Sequence, residues 1–272
     1  MSETLSETLG EALSGALRGA RVLVPRGGAW GARVAAELTR RGAEAVVAPL
    51  IAAAPPRDAA ARDAAFAALA AGRYDWLFVT SAASVEQLAA AGIAIPATTQ
   101  VAAVGQATAR AFADHPELRA EVAFVPVGTS AAATLVAQWC VGRSPASTGR
   151  VLVIRSDLAT AVVSDELELQ GFAVDVCIGY RTVGVDLPAS VVADLTCGRI
   201  DVVLLTSLSV GRELRRQVGA LPASVLVASI GPGTTRDAQR LGFTVGHTAH
   251  SQSVDALLAE LDAPVPPPEV LP

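Results

Sequence analysis

Short runs of apolar residues alternate with stretches of helical spacing along almost the whole chain, a rhythm that predicts strand followed by helix many times over. Residues 21–25 form the first strand, Gly27, Gly28 and Gly31 a turn, and residues 34–41 a helix that ends at Gly42. Residues 44–50 read as a second strand, closed by Pro49 and followed by the breaker Pro55-Pro56. An Ala-rich helix over 58–71 carries Phe66 and Leu69 on one face and stops at Gly72. Residues 75–79 are a buried strand, after which Thr80-Ser81 opens the helix 83–91. The strand 101–104 has Gly105 at its tip and the helix 107–113 behind it. Residues 122–126 form a short strand before Thr129-Ser130 starts the helix 132–140.

After a connector at 143–149 that is rich in Ser, Pro and Gly, the pattern restarts. Arg150-Val-Leu-Val-Ile-Arg155 repeats Arg21-Val-Leu-Val-Pro-Arg26. Asp201-Val-Val-Leu-Leu-Thr-Ser207 repeats Asp75-Trp-Leu-Phe-Val-Thr-Ser81, and Ser229-Ile-Gly-Pro-Gly-Thr234 answers Ala103-Val-Gly-Gln-Ala-Thr108. Three matches at nearly one offset indicate an internal duplication. The strands are continuously apolar rather than alternating, so each α/β copy predicts a parallel sheet covered by helices on both faces. Between the copies, Gly179-Tyr-Arg-Thr-Val183 reads as a connecting strand that turns Tyr180 toward whatever the two copies enclose.

Composition narrows the chemistry. A chain of 272 residues, 51% hydrophobic and with mean hydropathy +0.44, can bury two cores. No run approaches the roughly 20 uninterrupted apolar residues that span a bilayer, so no membrane partner is expected. The acidic start, Met-Ser-Glu-Thr-Leu-Ser-Glu-Thr-Leu, lacks the basic and apolar segments of a secretory signal and predicts a cytoplasmic protein. A formal charge of -5 argues against a nucleic-acid partner. Cys140, Cys177 and Cys197 are too few and too widely spaced for a disulfide framework or a zinc knuckle and read as buried fillers. All 21 basic residues are Arg, which excludes Schiff-base chemistry, pyridoxal phosphate anchoring and the lysine-containing phosphate loop.

Ligands of parallel sheets collect at the carboxyl ends of strands, where this chain places Arg26, Ser81 and Gly105 in one copy and Arg155, Ser207 and Gly231 in the other. Hydroxyl residues and glycines mark four junctions of strand with helix, at Thr80-Ser81, Gly105 to Thr108, Thr206 to Ser209 and Gly231 to Thr234. They suit either simple helix capping or the binding of carboxylate or phosphate by unpaired amides. Arg26 and Arg155 fit a bidentate grip on a carboxylate or an ordinary ion pair. Gly27 to Gly31 lacks the acid that a dinucleotide site needs after its second strand, which here ends Ala48-Pro49-Leu50. His115, His247 and His250 read as polar loop residues, since no carboxylate or Cys falls at a metal-ligand spacing. Tyr180 either packs with its hydroxyl in water or donates a proton to a leaving group.

With Thr80-Ser81, Val104-Gly105, Gly179 to Val183, Thr206-Ser207 and Ile230-Gly-Pro-Gly-Thr-Thr235 in this order, the chain resembles uroporphyrinogen-III synthase from about residue 21 to residue 261. Leu241-Gly-Phe and Ser253-Val-Asp-Ala-Leu-Leu258 extend the likeness. The resemblance implies a cofactor-free, monomeric enzyme of tetrapyrrole synthesis that closes linear hydroxymethylbilane, a polycarboxylate, into uroporphyrinogen III. On this expectation water is lost, an azafulvene and a spiro intermediate form, and the last ring is inverted; hand-over from hydroxymethylbilane synthase is implied too. Tyr180 matches the family's linker tyrosine, and Thr108 and Thr234 match threonines near its cleft, although Gly233 stands where some relatives have Thr.

The same resemblance implies two flavodoxin-like parallel-sheet domains joined by a two-stranded ladder. One domain would comprise 21–43 with 183–262 and the other 53–172, with 44–52 and 173–182 paired between them, 1–20 as an extension and 263–272 as a Pro-rich tail. The competing expectation is a two-lobed protein that binds a small anion without catalysis.

Overall fold

The computed structural model describes residues 17–128 and 132–262; the expected helix start at Thr129-Ser130, most of the leader and the Pro-rich tail lie outside them. The chain forms β1 (Arg21–Val24), α1 (Gly28–Arg40), β2 (Glu44–Val47), β3 (Ile51–Ala54), α2 (Ala59–Ala70), β4 (Trp76–Val79) and α3 (Ala82–Ala90). It continues through β5 (Gln100–Ala103), α4 (Gln106–Ala113), β6 (Val122–Phe124), α5 (Ala132–Trp139), the short α6 (Pro145–Thr148), β7 (Arg150–Ser156), α7 (Val162–Leu169) and β8 (Ala173–Gly184). The last elements are α8 (Ala189–Thr196), β9 (Val202–Leu205), α9 (Leu208–Val218), β10 (Leu226–Ser229), α10 (Pro232–Arg240), β11 (His247–Thr248) and α11 (Val254–Asp262). The first of two compact units combines the chain up to Ala52 with the chain from Val183 onward, and the second is Ala53–Thr182.

In the first unit, a five-stranded sheet has the order β11-β10-β9-β1-β2. Its strands alternate between two cores: Val22, Val24, Val202 and Leu204 pack with Val34, Leu38 and Leu257, while Leu23, Val203, Leu205 and Val227 pack with Leu195, Leu214 and Phe243. Burial on both faces explains why these strands carry no polar alternation.

The second unit holds a six-stranded sheet of order β3-β8-β7-β4-β5-β6. One face packs Leu77, Val79, Leu152, Ile154 and Cys177 against Phe66, Leu69, Val85 and Phe112. The other packs Trp76, Phe78, Val151 and Val153 against Leu135, Trp139 and Leu167. Strands matched by the sequence repeat occupy equivalent places: the run β7-β4-β5 in one sheet corresponds to β1-β9-β10 in the other. Spatial order is thus shared, whereas chain order is permuted.

Three local expectations change. The glycines read as a turn lie inside or at the cap of α1, because a Cβ at Gly31 would overlap the Arg26 carbonyl oxygen and only glycine lets the helix begin so close to β1. The strand expected over 44–50 stops at Val47, and the connector expected over 44–52 holds β2 and the start of a separate β3. Its first part does not pair with 173–182: β2 lies parallel to β1, from Arg21↔Glu44 to Val24↔Val47, and β8 lies parallel to β7, while β3 is the neighbour of β8. Pro49 has no N–H to continue a ladder and separates the two pieces.

Candidate active site

Tyr180 is set by a bulge. Along β7 and β8 the partners are Ile154↔Cys177, Arg155↔Ile178 and then Ser156↔Tyr180, so Gly179 is the extra residue. Regular alternation would put Tyr180 on the face opposite Cys177; the bulge returns it to the same face. A Cβ at Gly179 would lie 2.9 Å from Ile154 Cγ2, which explains the glycine. The phenol is 8% exposed, and its oxygen is 3.0 Å from Ser81 Oγ.

Ser81 is the N-cap of α3, and its Oγ accepts from the Ser84 N–H at 3.2 Å. The buried Ser84 Oγ lies 3.0 Å from Ser81 Oγ as well. When Ser81 donates to Tyr180, it can accept from both Ser84 groups, and the phenol O–H is left to donate elsewhere. Ser84 is not among the residues that the sequence singles out. Its signal is the Ser-x-x-Ser spacing at a helix start, which by itself reads only as a cap.

Gly105 caps α4, and Thr108 is buried in its first turn. Arg155 donates from Nη1 to the Ala159 carbonyl, while its Nε is buried without a partner among the described residues. Tyr180, Ser81, Gly105, Thr108 and Arg155 all belong to the second unit, at or near the carboxyl ends of its strands.

The remaining candidates belong to the first unit. Ser207 caps α9 by accepting from the Val210 N–H at 3.3 Å, and Gly231 caps α10, whose first turn contains Thr234. Thr206 Oγ1, just beyond β9, is buried without a partner among the described residues. Arg26 stacks on the Trp30 ring at 5.0 Å and makes no bidentate carboxylate pair among the described residues. The Ser81 and Ser207 hydroxyls therefore serve as caps, whereas Thr206 and Arg155 each leave a buried donor open. Such a donor costs about 1–3 kcal/mol when nothing satisfies it.

His247 lies in β11 rather than in a loop, and Glu260 of α11 joins it to His250, with His247 Nε2 at 3.0 Å and His250 Nδ1 at 3.1 Å. No group able to hold a metal occurs among the described residues. Burial alone would raise the Glu260 carboxyl, but the hydrogen bonds from His250 and His247 outweigh it and hold the group below its ordinary value of 4.5. Because the folded value is depressed, its stabilisation is complete above pH 4.5 and disappears as pH falls through the folded value. Glu260→Gln is expected to cost about 1 kcal/mol at pH 7 and less at pH 3. Urea unfolding at the two pH values checks this, and an equal cost at both would contradict it.

A cavity of about 540 Å³ lies at the amino-terminal ends of β9 and β10, away from the capped junctions, and no Arg lines it. A second, of about 300 Å³, lies in the second unit beside β8. Choosing a site by cavity volume alone therefore fails here on chemistry.

Solved structures share this fold. A mutant uroporphyrinogen III synthase from the extremely thermophilic bacterium Thermus thermophilus matches with a TM-score of 0.55 at 18% identity, over 89% of this chain and 96% of that one. Uroporphyrinogen-III synthetase from Helicobacter pylori 26695 matches with a TM-score of 0.56 at 16% identity, over 89% and 97%. Among curated proteins, none matches the chain. The model of the uroporphyrinogen-III synthase HemD family matches residues 32–259, and the chain belongs to that family.

Proposed function

We propose that this chain converts linear hydroxymethylbilane to uroporphyrinogen III, as a cofactor-free hydro-lyase with Tyr180 at the departing hydroxyl. The observation that carries the proposal is the 3.0 Å contact between the Tyr180 oxygen and Ser81 at the N-terminus of α3. A phenol held there by Ser81 has its proton free for the leaving group, and the positive helix end favours the charge left behind. The terminal C–O bond breaks, the hydroxyl takes the phenol proton and leaves as water, the pyrrole nitrogen supplies the electron pair, and release of its N–H proton to water leaves the neutral azafulvene. Attack by the far ring, fragmentation of the spiro intermediate and reclosure then invert ring D. In the second unit the open donor at Arg155 Nε and the amides at Ser81 and Gly105 suit substrate carboxylates; in the first unit Thr206 Oγ1 and the amides at Ser207 and Gly231 offer the same chemistry. Holding the chain curled is chiefly a matter of positioning.

The test is to supply hydroxymethylbilane and resolve the product isomers. Wild type is expected to yield the III isomer, and Tyr180→Phe to lower kcat on the order of a hundredfold with KM nearly unchanged. Formation of the I isomer alone, at the uncatalysed rate, would sink the proposal and favour a binding protein.

A further inference from the structure

The cavity of about 300 Å³ in the second unit has a mixed lining that the rim residues do not account for. Arg57, Arg62 and Arg181 contribute guanidinium groups, Asp58 and Asp157 carboxylates, and Val176, Cys177 and Ile178 an apolar wall. Arg57 has no partner among the described residues. Arg181 uses Nε on the Pro55 carbonyl at 2.9 Å, leaving its terminal nitrogens open. Arg62 is paired with Asp63 at 2.7 Å. Asp58 spends one oxygen on the Ala61 N–H, as the cap of α2, and Asp157 spends one on the Thr182 N–H. Each carboxylate keeps its other oxygen.

Charges of both signs nearly cancel around this space, so it is not built for a compact polyanion such as phosphate. It suits a flat apolar ring that carries carboxylates for Arg and an N–H for Asp. Burial pushes the Cys177 thiol up to about 11, so that wall stays neutral. The pocket is tied to the segment carrying Tyr180, because the Asp157 N–H donates to the Tyr180 carbonyl at 3.1 Å and Arg181 follows directly.

We propose that this pocket holds one carboxyalkyl-substituted pyrrole ring of the ligand, its carboxylates on Arg57 and Arg181 and its ring N–H on Asp157. Assigning the ring to a linear tetrapyrrole rests on the synthase reading; the recognition of a single pyrrole does not.

The probe is a monopyrrole bearing one acetate and one propionate arm, titrated calorimetrically into the full chain. Wild type is expected to bind it, Arg57→Gln with Arg181→Gln about tenfold or more weaker. Asp157→Asn keeps an oxygen for the Thr182 N–H, and it should abolish the preference for the free pyrrole over its N-methyl form. Arg57→Gln alone serves if the Arg181 change lowers stability through the lost Pro55 contact. Absence of binding, binding within twofold in the Arg variants, or equally tight binding of inorganic phosphate overturns the proposal. If the monopyrrole binds as expected but no III isomer is formed, the pocket stands and the synthase reading falls; if the III isomer is formed without monopyrrole binding, the reverse holds.

Discussion

Trp139→Ala is expected to lower the stability of the second unit by about 3–5 kcal/mol, a large part of the total stability of an ordinary domain. The ring is fully buried at the end of α5, with its centroid 5.1 Å from Trp76, 4.9 Å from Phe78 and 5.1 Å from Phe172. All three pairs are edge-on, the geometry that adds to plain area burial. Arg143 lies 5.1 Å over the same ring and donates to the Trp139 carbonyl at 2.7 Å, so truncation also removes one of the three aromatic rings, with Trp76 and Phe124, that face this cation. Trp139→Phe should cost much less, about 1–2 kcal/mol, because it also removes an indole N–H that is buried without a partner. Urea unfolding followed at several wavelengths measures both. An alanine variant within about 1 kcal/mol of wild type would show that the aromatic cluster does not hold this unit together.

Gly149→Ala is expected to cost about 3 kcal/mol or more. Gly149 has φ 73° and ψ -149°, a region open almost only to glycine. A Cβ there would overlap Asp75 Oδ2, the atom that accepts the Arg150 N–H at 2.9 Å. The backbone completes this clasp, with the Asp75 N–H donating to the Arg150 carbonyl at 2.9 Å and the Gln100 N–H to the Asp75 carbonyl at 2.8 Å, so it aligns the starts of β4, β5 and β7.

The first unit repeats the clasp: Asp201 Oδ2 accepts the Arg21 N–H at 2.7 Å, and the Asp201 N–H donates to the Arg21 carbonyl at 2.9 Å. There the preceding residue is Ala20, so the clasp alone does not demand glycine; the left-handed backbone and close approach at Gly149 do. Asp75→Ala should therefore be less damaging in the Gly149→Ala background than in wild type, since removing the carboxylate there also relieves the clash. Additive costs in that double-mutant cycle would refute the steric account.

Much of the site is legible in the sequence because helix starts are local chemistry. Ser81, Gly105, Ser207 and Gly231 stand at strand-to-helix junctions that residue type alone marks, and each is the cap of a helix. Tyr180 stands out as a polar aromatic on a connecting strand, and the chain raises an expectation of which way it faces without showing what sets it. Its orientation depends on a bulge at Gly179, which needs the neighbouring β7 and the crowding of Ile154 to be seen. Arg57 and Arg181 escape notice for a similar reason, since nothing in their own stretches distinguishes a pocket wall from a solvated surface. Glu260 is invisible as the partner of His247 and His250 because it comes from the far end of the next helix.

By itself, the sequence determined the alternation of apolar strands and helices, the duplication and the chemistry excluded by an all-Arg cationic set, because each is written in short-range spacing or in residue type. Tertiary structure alone decided which strands became neighbours. The Arg21 strand pairs with the Val202 strand rather than with the equally apolar strand at Trp76, and the two sheets share one spatial order under permuted chain order. Apolar strands of the same length and β-branched character are interchangeable as local sequence. Their pairing is fixed only when both sheet faces, the connecting helices and clasps such as Asp201 on Arg21 are satisfied together.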